Sequence, residues 1–256
     1  MDSRSLHHSF DVIAVLLAKE LKIRYKSTAL GYAWSVAYPL ALAFVFHFVF
    51  KLVIRIPVEN YALFVVIGLF PWQWCQNSVI GANGFFLANG SLIKKVSFPR
   101  ALLVLTGVLN DLVHFLASLP VILAFLLWSG IAPSLSWLWQ IPLLLLIQFG
   151  VTYGMSLAVA TANLFLRDLE RLLGIGTFLW LYLTPVLYPW DMVPEDYRWT
   201  FWLNPMTLLV QSWRDVLMHG TLDLTVAAGA AGWACVILLL GQTIYASLER
   251  RFAELV

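Results

Sequence analysis

The chain has 256 residues, of which 61% are hydrophobic and only 12% are charged, and its mean hydropathy is +0.82. A soluble domain carries about 25% charged residues, so this composition excludes an ordinary soluble protein and indicates one that sits in lipid. The net charge of +2 and the absence of a long basic run give no reason to expect nucleic acid as a partner.

Residues 10–27 come before the first long apolar run and have the pattern of an amphipathic helix. Apolar residues such as Ile13 and Leu16 recur at helical spacing, and basic residues such as Lys19 and Lys22 lie between them. A basic amphipathic helix is typical of a membrane surface. We therefore predict an interfacial helix here; the alternative is a solvated helix docked on its own protein.

Six apolar runs are long enough to cross a bilayer, which takes about 20 residues in a helix. The runs do not alternate with polar residues, so they predict helices rather than a barrel. The chain should be an all-α integral membrane protein with about six transmembrane helices, in one domain of residues 1–256 whose membrane bundle covers residues 34–248. The predicted spans are Trp34–Val53, Tyr61–Phe86, Leu102–Trp128, Trp139–Phe165, Leu172–Tyr188 and Val226–Leu248.

Lysine and arginine are divided unevenly between the two sides of the predicted bundle. One side carries Lys51, Arg55, Arg198 and Arg214. The other side carries Arg4, Lys19, Lys22, Arg24, Lys26, Lys94, Lys95, Arg100, Arg167, Arg171, Arg250 and Arg251. Cytoplasmic loops carry the excess of positive charge, so we predict that both termini are cytoplasmic.

The segment Tyr188–Asp223 is too polar to span simply and is rich in proline and tryptophan. Non-helical backbone at membrane depth is tolerated only where protein or a cavity surrounds it. We predict a pair of short re-entrant or interfacial helices on the outer side. The alternative is a plain extracellular loop with an aromatic belt.

Residues for catalysis or metal binding are sparse. The chain has no GxxxxGK[ST] loop for nucleotide phosphates and no legible catalytic or metal-ligand spacing, and Cys75 and Cys235 lie in apolar runs. We therefore expect no catalytic residue, no metal and no cofactor bound by this chain. Asp111 and His114 share a helix face in the third span; they are either a proton relay or a structural polar pair.

Two further features point to transport. Aromatic residues cluster in the second span and at the outer side, where they either form the usual interface belt or offer faces that stack on sugar rings. The loops at residues 89–100 and 163–171 are short and charged. Such loops either dock into the groove of a partner protein or only anchor the chain by positive charge.

Six stretches of the chain, in this order, resemble the membrane subunits of type-2 ABC exporters for O-antigen, teichoic acid and capsular polysaccharide. The stretches cover nearly the whole chain and are Arg24–Trp34 (RYKSTALGYAW), Gly68–Trp72 (GLFPW), Ser91–Arg100 (SLIKKVSFPR), Asn163–Asp168 (NLFLRD), Leu183–Tyr188 (LTPVLY) and Leu203–Met206 (LNPM).

The resemblance implies a homodimer in a bacterial inner membrane, with one ATP-binding cassette ATPase subunit docked on each copy. ATP and Mg²⁺ would be bound by those two ATPase subunits, and the cargo would be an undecaprenyl-linked polysaccharide, with O-antigen as the first candidate. The resemblance also implies short periplasmic gate helices within Met192–Met218.

Roles for individual residues follow from the same resemblance. The expected ATPase-coupling residues are Leu92, Lys94, Lys95, Val96 and Ser97 in the first cytoplasmic loop, with Lys19 and Lys22 in the N-terminal helix. The expected pathway aromatics are Phe70, Trp72, Trp74, Tyr182 and Tyr188. Arg24 and Lys26 are candidates for contact with the lipid phosphates, because cationic groups pair with phosphate oxygens; positive-inside anchoring is the alternative.

Three other functions stay open on the sequence alone. An integral membrane transferase would use outward-facing acids, for which Asp191, Glu195 and Asp196 are available. A proton-coupled carrier would use Asp111 and His114. A type-2 exporter of drugs or lipids would have similar loops.

Overall fold

The computed structural model describes residues 3–25, 33–95 and 98–252, and no strand occurs among them. The α-helices are α1 (Ser3–Tyr25), α2 (Trp34–Phe46), α3 (Tyr61–Ala88), α4 (Gly90–Lys95), α5 (Ala101–Trp128), α6 (Trp137–Asn163), α7 (Leu169–Leu183), α8 (Pro205–His219) and α9 (Leu224–Leu248). A π-helix, His47–Val53, continues α2, and short 3-10 helices cover Trp190–Met192, Glu195–Leu203 and Glu249–Arg251.

Five helical segments in the described residues are long and apolar enough to cross a membrane. They are Val36–Val53, Tyr61–Ala88, Ala101–Trp128, Trp137–Asn163 and Leu224–Arg251. The all-α membrane class is therefore confirmed, and these five segments agree with five of the six predicted spans.

The fifth predicted span, Leu172–Tyr188, is wrong over its last five residues, 184–188, which lie beyond the end of the helix. The helix there, α7, has 15 residues and is roughly 22 Å long, which is less than the ~30 Å of a hydrocarbon core. It ends at Leu183 because Pro185 disfavours a helical conformation at the residue before it, and Thr184 is extended with φ −101° and ψ 131°.

The two ends of the bundle differ in what packs there. At one end, called the α4 end, Leu16 of α1 and Ile93 of α4 join Phe86, Leu103 and Phe252 in one buried cluster. The chain segments nearest both termini therefore lie at the same end. The opposite end, called the hairpin end, holds the starts of α3, α6 and α9, and there Ser136, just before α6, contacts Gly220, just before α9.

Helix α3 is the centre of the bundle. It contacts α2, α5, α6, α7 and α8, and most of its length is buried inside the chain. Trp72 of α3 and Trp213 of α8 are the largest fully buried side chains among the described residues. Helix α2, in contrast, is hardly covered: only 6% of its spanning segment is buried.

Helices α6 and α9 approach each other closely because small residues face one another. A Cβ atom on Gly154 would lie 2.7 Å from the Ile237 carbonyl oxygen, and a Cβ atom on Gly241 would overlap the backbone of Gly154. Gly150 and Gly154 have the GxxxG spacing that allows membrane helices to pack backbone against backbone. The bundle therefore depends on glycine at this contact.

Substitution of Gly241 by leucine should lower the midpoint of thermal unfolding, because the added side chain would force α9 away from α6. Overpacking of this kind lowers the free energy of unfolding by about 1–3 kcal/mol. We expect a loss at the upper end of that range, because the neighbouring atoms belong to the backbone of Gly154 and cannot move aside easily. Thermal unfolding of the purified protein, followed by size-exclusion chromatography after heating, measures the effect. Gly232→Leu on the same helix is the matched control, since a Cβ atom there meets nothing within 4 Å. Equal losses in the two variants would contradict the assignment.

Candidate functional site

The segment between α7 and α9 forms a re-entrant hairpin, defined here as residues 195–219. Its 3-10 helix runs into the bundle, since the Trp202 carbonyl accepts a hydrogen bond of 2.7 Å from Trp233 Nε1. Trp233 lies nine residues after Leu224, the first residue of α9, which is roughly 14 Å of helix. The chain then turns, and α8 returns to the hairpin end, where Ser136 Oγ donates to the Gly220 carbonyl at 2.9 Å. The predicted pair of short helices before the last span is confirmed.

The tip of the hairpin is fixed by Asn204. Its Oδ1 accepts hydrogen bonds from the Met206 backbone N–H at 3.1 Å and from Trp180 Nε1 at 3.0 Å, and its Nδ2 donates to Thr184 Oγ1 at 2.9 Å. An N-cap asparagine followed by proline at the first helical position starts α8 efficiently. The Asn-Pro pair therefore ties the start of α8 to the end of α7.

Arg214 of α8 satisfies the backbone where α7 breaks. Its side chain is buried, and Nη1 donates to the Pro185 carbonyl at 2.6 Å while Nη2 donates to the Val186 carbonyl at 2.7 Å. The guanidinium carbon lies 3.4 Å from the centre of the Phe64 ring, a favourable position for a cation. Gly68 makes room, because a Cβ atom there would lie 2.8 Å from Nη2.

Gln148 of α6 joins three elements at mid-bundle. Its Nε2 donates to the Pro71 carbonyl of α3 at 2.8 Å, and its Oε1 accepts from Trp213 Nε1 of α8 at 2.6 Å. Both groups are buried, and buried polar groups are costly unless they are paired. Helix α8 is therefore fixed by two neighbouring side chains to two different elements, by Trp213 to α6 and by Arg214 to the segment after α7.

The predicted coupling residues lie at the α4 end. Ile93 anchors α4 in the buried cluster, Leu92 is half-buried, and Lys94 and Lys95 are exposed. Lys19 Nζ donates to Asn89 Oδ1 at 3.3 Å, so α1 lies beside the turn before α4. The structure thus brings together the two elements that the sequence assigned to coupling.

Other members of the predicted set are placed as follows. Lys22 is exposed on α1. Val96, Ser97 and Lys26 lie outside the described residues, as does the Arg24 side chain.

Sequence reasoning missed a clasp beside α4 that holds the end of α9. Arg100 Nη1 donates to the Glu249 carbonyl at 2.9 Å, and the Tyr245 hydroxyl accepts from the Ala101 N–H at 3.2 Å while donating to Glu249 Oε1 at 2.6 Å. Phe252 packs against Phe86 at 4.9 Å between ring centres. The sequence gives one weak signal for this clasp, which is the aromatic residue Phe252 directly after Arg250-Arg251.

The predicted pathway aromatics divide into two groups. Phe70, Trp72 and Trp74 are buried inside the chain, with exposures of 4%, 1% and 2%. Tyr182 on α7 is about half exposed and packs edge-on against Phe178. Tyr188 is half-buried, and its hydroxyl donates to the Tyr182 carbonyl at 3.0 Å. The accessible aromatic surface therefore lies on α7 rather than on α3.

Asp111 and His114 are both buried in α5 and line one small cavity of about 30 Å³. Ser78 Oγ of α3 donates to Asp111 Oδ2 at 2.9 Å. A cavity of this size holds about one water molecule, and the pair sits in a buried polar contact between α3 and α5. In the part of the chain that the structure describes, no group of three or more His, Cys, Asp or Glu residues could hold a metal ion.

Arg214→Met should lower the free energy of unfolding by roughly 3 kcal/mol, because two buried carbonyls lose their donors and each costs about 1–3 kcal/mol when unpaired. The Arg214→Lys protein should have a free energy of unfolding between those of Arg214→Met and the wild type. An ammonium group lacks the planar fork of donors that reaches both carbonyls. Thermal or denaturant unfolding measures both. Arg198→Met is the control: its side chain is 33% exposed, so water replaces the lost contacts. An Arg214→Met protein as stable as Arg198→Met would refute this role.

Comparison with known proteins gives matches over almost the whole chain. Residues 11–218 match the ABC-2 type transporter family. The O-antigen export system permease protein RfbA of Klebsiella pneumoniae is 43% identical over 251 residues, which cover 98% of this chain and 97% of that protein.

Two more distant relatives extend the comparison. The O-antigen export system permease protein RfbA of Myxococcus xanthus is 30% identical, over 98% of this chain and 97% of its own length. The polysialic acid transport protein KpsM of Escherichia coli is 20% identical over 93% of each chain. With its helical bundle and its full-length relatives, the chain belongs to the ABC-2 type transporter family, as a membrane-embedded transport component rather than a catalyst.

Proposed function

We propose that this chain is the membrane subunit of an ATP-driven exporter that moves lipid-linked polysaccharide out of the cytoplasm, with O-antigen as the first candidate. The observation that carries the proposal is the similarity over nearly the whole chain to relatives named O-antigen export system permeases. The chain has no phosphate-binding loop, so ATP and Mg²⁺ belong to a separate ATPase subunit.

The surface at the α4 end is the docking site for that ATPase. Lys94 and Lys95 project from a short helix whose Ile93 is buried, and α1 lies next to it through Lys19. A short helix that is anchored on one face and charged on the other suits a groove in a partner. Because the clasp joins Arg100 to Glu249, a push on α4 reaches α9 as well as α5.

The α4 end faces the cytoplasm, and the membrane is a bacterial inner membrane. The basic residues of the described loops favour this orientation. The α4 end carries Lys19, Lys22, Lys94, Lys95, Arg100, Arg167, Arg171, Arg250 and Arg251, whereas the hairpin end carries Lys51, Arg55, Arg198 and Arg214. By the positive-inside rule, this division of charge supports a cytoplasmic location for both termini and a periplasmic one for the hairpin.

Two copies of the chain form the conduit, and each copy carries one ATPase subunit. Helix α7 is the face that suits the conduit: Phe178 and Tyr182 are about half exposed, and Cβ atoms added at Gly174 and Gly176 would meet nothing within 4 Å. Exposed aromatic faces offer stacking surfaces for sugar rings. Trp72 then supports this wall from inside, since it packs against Trp180 of α7 at 4.9 Å between ring centres.

The lipid head group meets the protein near the end of α1. Arg24 and Lys26 are the proposed phosphate partners, on the sequence pattern alone. A pyrophosphate attracts cationic side chains strongly, because hydrogen bonds between charged groups are about twice as strong as neutral ones.

The double variant Lys94→Glu/Lys95→Glu should reduce both ATPase binding and export, because it reverses two charges on the docking surface. Permease and ATPase are reconstituted together in vesicles with lipid-linked O-antigen, and ATP-dependent movement of the polysaccharide is measured. We expect a loss on the order of tenfold or more, as like charges across an interface cost several kcal/mol.

Arg250→Glu/Arg251→Glu is the matched control, with the same charge change at the same end of the bundle. Equal losses in both double variants would show a general charge effect and remove the docking role of α4. Movement of polysaccharide by the permease alone, without an ATPase, would overturn the proposed function itself.

The double variant Arg24→Ala/Lys26→Ala should reduce export about tenfold while ATPase docking stays intact, because it removes two phosphate partners. Cell-surface polysaccharide and co-purification of the ATPase report the two effects separately. Arg4→Ala, near the start of α1, is the control. Unchanged export in the double variant would leave these residues with an anchoring role only.

A further inference from the structure

A cavity of about 750 Å³ lies at the hairpin end, between the loop before α3, the short 3-10 helix Trp190–Met192, α8 and the start of α9. It is distinct from the exposed face of α7. The residues that give it its chemistry are Trp190, Asp191, Gln211, Arg214, Asp215 and Asp223. Cavities of this size, roughly 300–1,000 Å³, are typical of sites for small organic ligands.

The polar groups of the cavity are not equally available to a ligand. The Arg214 guanidinium donates to the Pro185 and Val186 carbonyls, and Asp223 Oδ1 accepts from the Thr225 N–H at 2.8 Å as the cap of α9. Gln211 Nε2 donates to Asp215 Oδ1 at 3.0 Å. A side-chain amide has a second N–H and a carbonyl oxygen, and a carboxylate has a second oxygen, so this pair offers both donors and acceptors.

The charge of the cavity argues against an anionic ligand. Asp191, Asp215 and Asp223 outnumber the single cation of Arg214, and His219 is the other titratable group of the lining. A phosphate or uronate would meet net repulsion. An uncharged ligand rich in hydroxyl groups would instead find hydrogen-bond partners at Gln211 and Asp215 and an aromatic wall at Trp190, which packs against Phe201.

We infer that this cavity binds a short segment of uncharged polysaccharide, with sugar hydroxyls bonded to Gln211 and Asp215 and a sugar ring against Trp190. The inference rests on the proposed function, since it names a second place where the cargo contacts the chain. If the hairpin end is periplasmic, the cavity receives glycan that has already crossed the bilayer. Sugar rings suit such a wall because their C–H groups meet the negative face of an aromatic ring.

The test measures binding of soluble glycans to the full-length protein, in complex with its ATPase in lipid nanodiscs, by saturation-transfer NMR. The probes are uncharged mannan, galactan and glucan oligosaccharides and, as the anionic counterpart, a polyuronate fragment. At least one uncharged glycan should bind saturably, and the polyuronate should bind at least about tenfold more weakly. Gln211→Ala and Asp215→Asn should each weaken binding on the order of tenfold, the effect of losing one good hydrogen bond.

Asp215→Asn should fold normally, because burial raises the pKa of the Asp215 carboxyl and a neutral amide costs less there. Glu59→Gln, an acid-to-amide change at the same end outside the lining, should leave binding unchanged. Failure of every uncharged glycan to bind, or equal losses in the cavity variants and Glu59→Gln, would overturn the inference. Export by the wild type is assayed in parallel: a wild type that exports but shows no cavity-dependent binding refutes the cavity alone, and one that does not export refutes the proposed function.

Discussion

The re-entrant hairpin depends on the hydrogen bonds of Arg214. In lipid, each backbone group that leaves a helix must find a partner within the protein, and the chain leaves α7 after Leu183. The freed carbonyls of Pro185 and Val186 accept from the Arg214 guanidinium, and Tyr61 bonds the Leu187 carbonyl at 2.6 Å. Burial of a cation is itself costly. The Phe64 ring and the carbonyls together offset that cost, so the broken helix and the buried arginine stabilise each other.

Helix α9 connects the two ends of the molecule as a stiff element. At the α4 end it is held through Tyr245 and Glu249, which bond the start of α5. At the other end Trp233 bonds the hairpin, and between them the glycine contact with α6 prevents sliding, since Gly241 meets backbone directly. A rearrangement that moves Arg100 must therefore move α9 or break these bonds. Close-packed elements of this kind transmit displacements rather than absorb them.

Sequence patterns predicted the helices well because the need for about 20 apolar residues is a strong local constraint. They failed at α7, where the apolar run continues to Tyr188 but the helix ends at Leu183, before Pro185. The distant Arg214 stabilises this break, because it donates hydrogen bonds to the carbonyls beyond it. Arg214 was grouped with the outer basic residues, because nothing local shows that its partners lie almost 30 residues earlier. Phe70 is a pathway residue only by the family resemblance, and the burial of its side chain inside the chain is a feature that no local sequence pattern shows.

Charge divides the molecule along the bundle axis, and this division bears on the direction of transport. The α4 end is basic, and Lys94 and Lys95 are exposed there. The cavity at the hairpin end has an excess of carboxylates, among them Asp191 and Asp215. Exposed charges act over roughly 8–10 Å at physiological salt. Each end of the bundle therefore attracts or repels a charged ligand independently of the other end. A lipid-linked glycan whose sugars are uncharged carries its negative charge on the phosphates alone. In the function proposed above, its head group would be drawn to the α4 end and repelled from the hairpin-end cavity, whereas its uncharged sugars would be free to enter that cavity.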